Sequence, residues 1–254
     1  MADIAHRYQL DIRDASISSI YTPNLMNDGL TIADLVLAAS VAFFLGSIPI
    51  AWMVSRSRGV RIFAVGTRQA GATNVFREVG PVPALIVGLV DAGKGALAIM
   101  IAVWVGLEGS WLLLPAVAAI MGHWNSPLTR FRGGDGVITA VGVMIAISPA
   151  GTLVPILVGI IIALAIKPRV AHPSAWGGVI GFGTLNILAA VTDTGMSGAT
   201  VAGMTFIAAS ILLHSYAYHR RMPGAVRIEV LDEVLDGEHT DATIPPTPGP
   251  SAPA

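Results

Sequence analysis

Cysteine is absent from this chain of 254 residues, and charged residues make up only 12% of it. Without cysteine there is no disulfide framework, no thiolate zinc site and no cysteine nucleophile. The scarcity of charge argues against a water-soluble domain, because 54% of the residues are hydrophobic and the mean hydropathy is +0.70. These values are typical of an integral membrane protein.

The beginning of the chain also lacks the charged start, apolar run and small-residue cleavage site of a secretory signal, so we expect no removable leader. Residues 1–30 are polar and aperiodic, which predicts an extracytoplasmic arm. Residues 225–254 are acidic and then proline-rich, a composition typical of a disordered cytoplasmic tail. The membrane domain is therefore expected over residues 31–224.

Seven apolar stretches fill this central part of the chain. Helices are favoured because backbone polar groups in hydrocarbon must be paired within the protein, and the alternating pattern of barrel strands is missing. The sequence therefore predicts an all-α integral membrane bundle of seven transmembrane helices with short cytoplasmic glycine-rich loops. The fourth and fifth stretches are short against the ~20 residues that a crossing needs. The stretches are 31–55, 81–105, 111–127, 136–150, 152–167, 174–191 and 198–219.

Basic residues follow alternate apolar stretches, which predicts the orientation. Short cytoplasmic loops are enriched in Lys and Arg, and the loops at 107–110, 150–151 and 192–195 contain neither. We therefore expect the N-terminus outside the cell and the C-terminus in the cytoplasm. The basic residues are Arg56, Arg58, Arg61, Arg68 and Arg77 after the first stretch, Arg130 and Arg132 after the third, Lys167 and Arg169 after the fifth, and Arg220 and Arg221 after the seventh.

A glycine-rich segment, residues 66–77, follows the first apolar stretch. Glycine-rich backbone can bring N–H groups close to a ligand, and guanidinium groups favour an anion. Thr73 and Asn74 are predicted to cap a helix whose N–H dipoles would face that anion. The segment predicts a phosphate site, and the alternative is a polar loop whose arginines only set the topology. Its candidate contacts are Arg68, Thr73, Asn74 and Arg77.

A second glycine-rich turn, residues 131–139, opens a later helix on the same predicted side of the membrane. Gly133 and Gly134 are its candidate phosphate contacts. Asp135 does not suit an anion site, because a carboxylate repels phosphate. Its alternative role is a helix cap or an ion pair with Arg132 or Arg68. Two such turns on one surface favour a phosphorylated substrate handled beside lipid.

Asp91 and Lys94 lie within the second apolar stretch, where ionisable residues are costly. A separation of three residues places them on one helix face. They are predicted to form a structural ion pair between helices, and direct substrate contact is the alternative. Residues 88–94 match part of a P-loop, but Gly95 stands where Ser or Thr is needed, so we reject nucleotide binding.

The histidines are scattered and do not have the spacing of metal ligands, so no metal site is predicted. His123 and His214 lie near the same predicted membrane surface. Each is suited either to hydrogen-bond a phosphate or to cap a helix end.

Six short motifs stand in a fixed order along the chain: Gly46-Ser-Ile-Pro49, Gly71-Ala-Thr-Asn74 with Arg77, Asp91-Ala-Gly-Lys-Gly95, Gly122-His123 with Pro127, Phe131 through Val137, and Ser148-Pro149. In this order the chain resembles the bacterial membrane acyl-phosphate:glycerol-3-phosphate acyltransferase family, over roughly residues 35–224. The resemblance implies a seven-helix enzyme of phospholipid synthesis in the bacterial inner membrane. It would transfer a fatty acyl group from acyl phosphate to the sn-1 hydroxyl of glycerol 3-phosphate, giving lysophosphatidic acid.

The same resemblance implies the partners and the site. The partners are acyl phosphate, glycerol 3-phosphate and membrane lipid, with no nucleic acid, metal or other cofactor. The substrate hydroxyl would attack directly, while cations and N–H groups stabilise developing charge. The expected catalytic residues are His123, His214 and Arg220; the expected substrate contacts are Ser47, Arg68, Thr73, Asn74, Arg77, Gly133, Gly134 and Asp135; Asp91 and Lys94 would organise the helices.

The chain departs from the family pattern at several polar positions. Arg68 and Gln69 replace a glycine and an asparagine, Asp135 replaces a lysine, and Ala217 replaces an asparagine. Further changes are Ile138 for an alanine, and His172 and Pro173 in a serine-rich loop.

The change from lysine to aspartate alters the charge of the site most. A charge pair at ~4 Å is worth roughly 4 kcal/mol at an effective dielectric constant of 20. We therefore hypothesise that Arg68 supplies the missing cation and pairs with Asp135. The alternatives to an active enzyme are a non-catalytic homologue that binds acyl phosphate or phospholipid, and a small organic-phosphate transporter.

Overall fold

The computed structural model describes residues 30–166 and 173–221, and these residues form helices and loops without a β-strand. The all-α prediction is confirmed for this part of the chain. The predicted tail and residues 1–29 of the predicted arm lie outside the described residues, as do Lys167, Arg169 and His172. The α-helices are α1 (Ile32–Ser47), α2 (Ile50–Arg56), α3 (Ala72–Glu78), α4 (Pro81–Trp104), α5 (Leu113–Trp124), α6 (Val137–Ile147), α7 (Pro149–Ile166), α8 (Pro173–Val191) and α9 (Gly198–Arg221).

Each of the seven predicted apolar stretches contains one or two of these helices. Within the described residues, four segments are long and apolar enough to cross a membrane: Ile32–Arg56, Pro81–Trp104, Pro149–Ile166 and Gly198–Tyr218. Helices α5 and α6 have only 12 and 11 residues. A 12-residue helix is about 18 Å long, well short of the ~30 Å thickness of the hydrocarbon core. The number of complete crossings therefore stays a prediction.

The first apolar stretch is not one continuous helix, contrary to the sequence prediction. Helix α1 ends at Ser47, and α2 begins at Ile50. Ile48 has an extended backbone, with φ −64° and ψ 113°. Proline disfavours helical geometry in the residue before it and cannot donate a backbone hydrogen bond, so Pro49 accounts for the break. The break exposes backbone carbonyls to neighbouring helices.

Helices α1 and α5 cross with their backbones in contact. A Cβ atom added to Gly46 would lie 1.9 Å from the carbonyl oxygen of Ala119, and one added to Gly122 would lie 2.1 Å from that of Phe43. No larger side chain fits at either position without moving a helix. Such close approach of small residues is how membrane helices gain dispersion energy where lipid removes the hydrophobic driving force.

Helices α4 and α6 cross in the same way. A Cβ atom on Gly142 would lie 1.8 Å from the oxygen of Ala92, and one on Gly95 would lie 2.1 Å from that of Thr139. Helix α4 is thereby fixed against α6, while α5 is fixed against α1. These two contacts place the polar face of α4 beside the C-terminal end of α5.

The two glycine-rich segments meet at one end of the bundle, as the sequence analysis predicts. The N–H of Ala70 donates to the carbonyl oxygen of Gly133 over 3.1 Å. The hydroxyl of Tyr218 donates to the carbonyl oxygen of Arg68 over 2.5 Å, so the C-terminal part of α9 joins the same end. We refer to this as the loop end of the bundle.

Polar contacts also join the loops at the opposite end. The hydroxyls of Ser110 and Ser197 are 3.2 Å apart, and the hydroxyl of Ser148 donates to the carbonyl oxygen of Thr194 over 2.9 Å. These loops are the ones that the sequence analysis places together on the side without Lys or Arg.

Candidate functional site

A small cavity opens at the loop end, where four separate parts of the chain converge. Of the predicted site residues, Ser47, Asp91, His123, Gly133 and Gly134 line it. The helix break supplies one wall, α4 and α5 supply the floor, and the glycine-rich turn closes the side. The remaining lining residues are Gly46, Ile48, Pro49, Ile50, Ala51, Ala70 and Ser126.

Lys94 and Asp91 form a buried ion pair beneath this cavity, with 5% and 2% of their surfaces exposed. The Nζ atom of Lys94 lies 2.8 Å from Oδ1 of Asp91. It also donates to the carbonyl oxygens of Gly46 and Ile48, over 3.2 and 2.7 Å. Because those carbonyls belong to the helix break, the lysine ties α4 to the end of α1.

His123 is buried at the end of α5, between the ion pair and the glycine-rich turn. Its Nδ1 atom lies 3.9 Å from Oδ1 of Asp91 and 3.4 Å from the hydroxyl oxygen of Thr139. Its Nε2 atom is close to Gly134, where an added Cβ atom would lie 2.5 Å away. In the tautomer with its proton on Nδ1, that proton faces the carboxylate and Nε2 is a hydrogen-bond acceptor on the side of the turn.

Gly133 and Gly134 allow the turn to pack on the end of α5. A Cβ atom on Gly133 would lie 1.9 Å from the carbonyl oxygen of His123. The N–H of Gly134 donates to that same oxygen over 3.3 Å. This N–H is therefore used within the protein.

The prediction that Thr73 and Asn74 cap a helix is wrong. Helix α3 begins at Ala72, its N-cap residue is Gly71, and no side chain caps it. Both polar residues lie within the helix. Gly71 takes an extended conformation, with φ −137° and ψ 158°, so the helix begins a few residues earlier than predicted.

Asn74 is buried and is bound to the backbone of its own loop. Its Nδ2 atom lies 3.0–3.1 Å from three carbonyl oxygens, and its Oδ1 atom accepts from a backbone N–H over 3.0 Å. Both ends of the amide are thus occupied inside the protein, and Asn74 holds the loop in shape. The carbonyl oxygens belong to Ile62, Val65 and Gln69, and the N–H belongs to Thr67.

The remaining residues of this segment lie away from the cavity lining. Thr73 and Arg77 are exposed on α3. Arg68 is half-buried and has a left-handed backbone, with φ 58°. The hypothesised pairing with Asp135 is absent: across residues 30–166 and 173–221, no ion pair joins the two side chains. The backbone of Arg68 is instead held by Tyr218, and that of Asp135 by Trp124.

Trp124 links Asp135 to His214, which the sequence analysis did not predict. Its indole N–H donates to the carbonyl oxygen of Asp135 over 2.7 Å. Its ring stacks on the imidazole of His214, with centroids 4.3 Å apart and an interplanar angle of 5°. The position of Trp124 directly after His123 is the signal that could have marked it. Arg220 lies in the last turn of α9, and its side chain is outside the described part of the structure.

Ser126 is a second residue that the sequence analysis missed. It is buried, and its hydroxyl donates to the carbonyl oxygen of Ser47 over 2.5 Å. The hydroxyl of Ser47 itself donates to the carbonyl oxygen of Phe43 over 2.7 Å. Both serines therefore shape the helix break. The only signal for Ser126 is its place between His123 and Pro127.

This fold and site define an integral membrane protein with a polar cavity at one end of a helical bundle. Residues 36–224 match the protein family described as glycerol-3-phosphate acyltransferase. The chain belongs to that family.

Individual relatives agree with this assignment. The glycerol-3-phosphate acyltransferase 1 of Deinococcus radiodurans is 44% identical over 114 residues, which is 45% of this chain and 58% of the relative. The chain thus aligns with less than two thirds of that protein. A glycerol-3-phosphate acyltransferase of Thermus thermophilus is 39% identical over 142 residues, which is 56% of this chain and 71% of the relative.

Two solved structures share the fold. Both are crystal structures of PlsY (YgiH), an integral membrane glycerol 3-phosphate acyltransferase. The glycerol 3-phosphate form superposes with a TM-score of 0.60 at 29% identity, covering 80% of this chain and 92% of the other. The lysophosphatidic acid form superposes with a TM-score of 0.57 at 27% identity, with the same coverage.

Proposed function

We propose that this chain transfers an acyl group from acyl phosphate to the sn-1 hydroxyl of glycerol 3-phosphate, producing lysophosphatidic acid and orthophosphate. The observation that carries the proposal is the convergence of His123, the Asp91–Lys94 pair and the Gly133-Gly134 turn on one cavity, in a member of this family. The likeness to PlsY in its glycerol 3-phosphate and lysophosphatidic acid forms supports the choice of acceptor and product.

The reaction is a direct displacement at the acyl carbonyl. The hydroxyl oxygen of the acceptor bonds to the carbonyl carbon, the bond from that carbon to the phosphate oxygen breaks, and phosphate leaves with the electron pair. Nε2 of His123 takes the hydroxyl proton, because Asp91 and Thr139 lie beside Nδ1 and orient the ring. A buried base with a fixed tautomer suits this step.

The other predicted site residues take supporting roles in this proposal. Arg68, Thr73, Arg77 and Arg220 stay the proposed phosphate contacts, since both substrates are anionic. Arg68, Thr73 and Arg77 do not line the cavity, so in this proposal the phosphate lies at its rim. His214 is held beside the cavity by Trp124. Asn74, Ser47 and Lys94 shape the loop and the helix break around it.

The membrane arrangement belongs to the same proposal. The chain crosses a bacterial inner membrane seven times, and the loop end faces the cytoplasm. The clustering of basic loops at the loop end supports this orientation. The acyl donor then reaches the cavity from the bilayer, and the soluble acceptor reaches it from the cytoplasm.

The test uses purified protein in detergent with acyl phosphate and radiolabelled glycerol 3-phosphate. We expect labelled lysophosphatidic acid from the wild type. Replacing His123 by Gln, which keeps a polar side chain without a base, should lower kcat by about 10²- to 10⁴-fold, in the range of general-base catalysis. KM should change little, and an unchanged unfolding temperature shows that the variant is folded.

Three outcomes contradict the proposal in different ways. Wild-type kcat in His123→Gln overturns the role of the histidine. Saturable binding of acyl phosphate without product assigns a non-catalytic homologue. Uptake of an organic phosphate into vesicles without product assigns a transporter.

A further inference from the structure

A carboxylate oxygen of Asp135 is buried without a hydrogen-bond partner. Its Oδ1 atom accepts from no group in the part of the chain whose side chains the structure describes, residues 30–166 and 176–218. An unsatisfied acceptor is costly in a low-dielectric environment, and most buried polar atoms in proteins have partners. Gly134, the residue before Asp135, lines the cavity, so an unsatisfied acceptor at this position points to a donor that a ligand supplies.

The position of Asp135 is fixed by the protein. It follows Gly134, which lines the cavity, and its backbone carbonyl oxygen accepts from the indole of Trp124 over 2.7 Å. Its charge is close enough to act on both His123 and His214. The backbone of Asp135 is therefore held next to the cavity lining, although Asp135 is not itself one of the lining residues.

The buried lysine of the site is not available to Asp135. Lys94 has three N–H donors, and its Nζ atom already contacts Asp91 and two backbone carbonyls. Arg68 makes no ion pair with Asp135 in the described part of the chain. Arg132, the other predicted partner of Asp135, directs its guanidinium group to the carbonyl oxygen and the ring of Phe63. A donor for Oδ1 is therefore sought in a ligand.

A second unpaired group lies on the adjoining loop. Gln69 has 3% of its surface exposed, and its Nε2 atom donates to no group within the described ranges. Its neighbour Ala70 is hydrogen-bonded to Gly133, so the two loops are in contact at this point. One loop thus offers an unused acceptor, and the other an unused donor.

Inorganic phosphate does not match this pair of groups. A phosphate oxygen suits the Gln69 amide, but inorganic phosphate is an anion whose charge is spread over all of its oxygens, so the carboxylate repels it at close range. A polyol phosphate matches both groups, because its hydroxyls donate as well as accept. The hydroxyl end of such a molecule suits Asp135.

We propose that Asp135 selects the acyl acceptor by accepting a hydrogen bond from one of its hydroxyl groups, while Gln69 donates to an oxygen of the same molecule. The identity of the acceptor as glycerol 3-phosphate rests on the proposed function. Asp135 makes and breaks no covalent bond in this scheme. It determines specificity by favouring a phosphate ester that carries a free hydroxyl at the correct distance.

The test is a binding cycle measured by isothermal titration calorimetry on the purified full chain. The ligands are glycerol 3-phosphate and two analogues that each lack one hydroxyl, 3-hydroxypropyl phosphate and 2-hydroxypropyl phosphate. The proteins are the wild type, Asp135→Ala and Asp135→Asn. Removing the negative charge relieves repulsion of all three phosphates alike, so this effect cancels when ligands are compared on each protein.

We expect the wild type to bind glycerol 3-phosphate about 10-fold or more tightly than one of the analogues, as for a hydrogen bond to a charged group. In Asp135→Ala the ratio of the two affinities should fall to near 1. In Asp135→Asn the ratio should lie between the value for Asp135→Ala and that of the wild type. Asp193→Asn, the same change in an exposed residue at the opposite end, should keep the wild-type preference.

Equal preferences in the wild type and in a folded Asp135→Ala variant overturn this inference, as does a wild type that binds all three ligands equally or binds none. Turnover separates the inference from the proposed function. If the wild type forms product and Asp135→Ala keeps the wild-type preference, only the proposed role of Asp135 is wrong. If the wild type forms no product but Asp135→Ala loses the preference, the proposed enzymatic function is wrong and the inference about hydroxyl recognition holds.

Discussion

Two buried polar side chains, Asn74 and Lys94, direct their donors at backbone carbonyls. Asn74 contacts three carbonyls of its loop, and Lys94 contacts two at the helix break. Each residue fixes an irregular stretch of backbone that no regular hydrogen-bond ladder satisfies. At the scale of single residues, much of the polar character of the site therefore holds the cavity walls together.

The Asp91–Lys94 pair should respond unequally to removal of its two members. Lys94→Met leaves a buried carboxylate without its cation and two carbonyls without their donor, so we expect a loss of about 3–5 kcal/mol in unfolding free energy. Asp91→Asn leaves the lysine with both carbonyls, and we expect a loss of about 1–3 kcal/mol. Urea unfolding in detergent measures both.

The double variant provides the control for this prediction. Asp91→Asn with Lys94→Met removes both charges, and it should be more stable than Lys94→Met alone. Equal stability of the two single variants would show that the carbonyl contacts of the lysine contribute nothing.

Helices α4 and α6 show how element packing is decided by glycines. Gly142 and Gly95 bring the two backbones into direct contact. The sequence could predict where the helices lie, because every bilayer-spanning segment needs a continuous apolar run. It could not predict which helices pair, because apolar faces are equally suited to lipid and to protein, and only the geometry shows which glycines face a backbone.

Gly142→Ala should force α4 and α6 apart. The new Cβ atom would lie 1.8 Å from the carbonyl oxygen of Ala92, and both groups belong to helix backbones. We expect a loss of about 1–3 kcal/mol in unfolding free energy, the usual cost of overpacking. A lower rate of acyl transfer should accompany it, because α4 carries Asp91.

Gly93→Ala is the matched control, since nothing lies within 4 Å of a Cβ atom at that position. It should leave stability unchanged or raise it by up to about 1 kcal/mol through helix propensity. If Gly142→Ala is as stable as this control, the two helices do not pack as closely as the structure has them.

Other features of the elements follow from the sequence to different degrees. The break before α2 could have been predicted, because Pro49 disfavours helix at Ile48. The burial of Asn74 could not, because its partners lie 5 to 12 residues away along the chain and converge only once the loop is folded. Motif order marked this region as a site, yet it did not separate residues that face a ligand from residues that support the loop.

The whole molecule has two chemically different ends. Exposed arginines at positions 56, 58, 61 and 130 lie near the loop end, whereas the opposite end carries Glu108 and Asp193. Trp104 and Trp111, 87% and 55% exposed, lie toward that opposite end, where aromatic rings suit the membrane–water interface. This asymmetry is what the proposed orientation rests on.

A chain without cysteine allows that orientation to be tested with single introduced cysteines. Ser57 and Ser110 are both exposed and lie at opposite ends of the bundle. In oriented vesicles, a membrane-impermeant maleimide should label Ser57→Cys only from the cytoplasmic face and Ser110→Cys only from the outer face. Labelling of both from one face would contradict the topology.

The shortness of α5 has a consequence for how the two substrates meet. A helix of 12 residues extends only about 18 Å, so when its far end is level with one headgroup layer, its other end lies below the opposite layer. His123 then lies about 12 Å short of the opposite headgroup layer, within the thickness of the hydrocarbon core rather than in bulk solvent. In the proposed reaction, the water-soluble acceptor therefore descends by about this distance along the polar lining to meet the acyl phosphate, whose tail stays in the hydrocarbon.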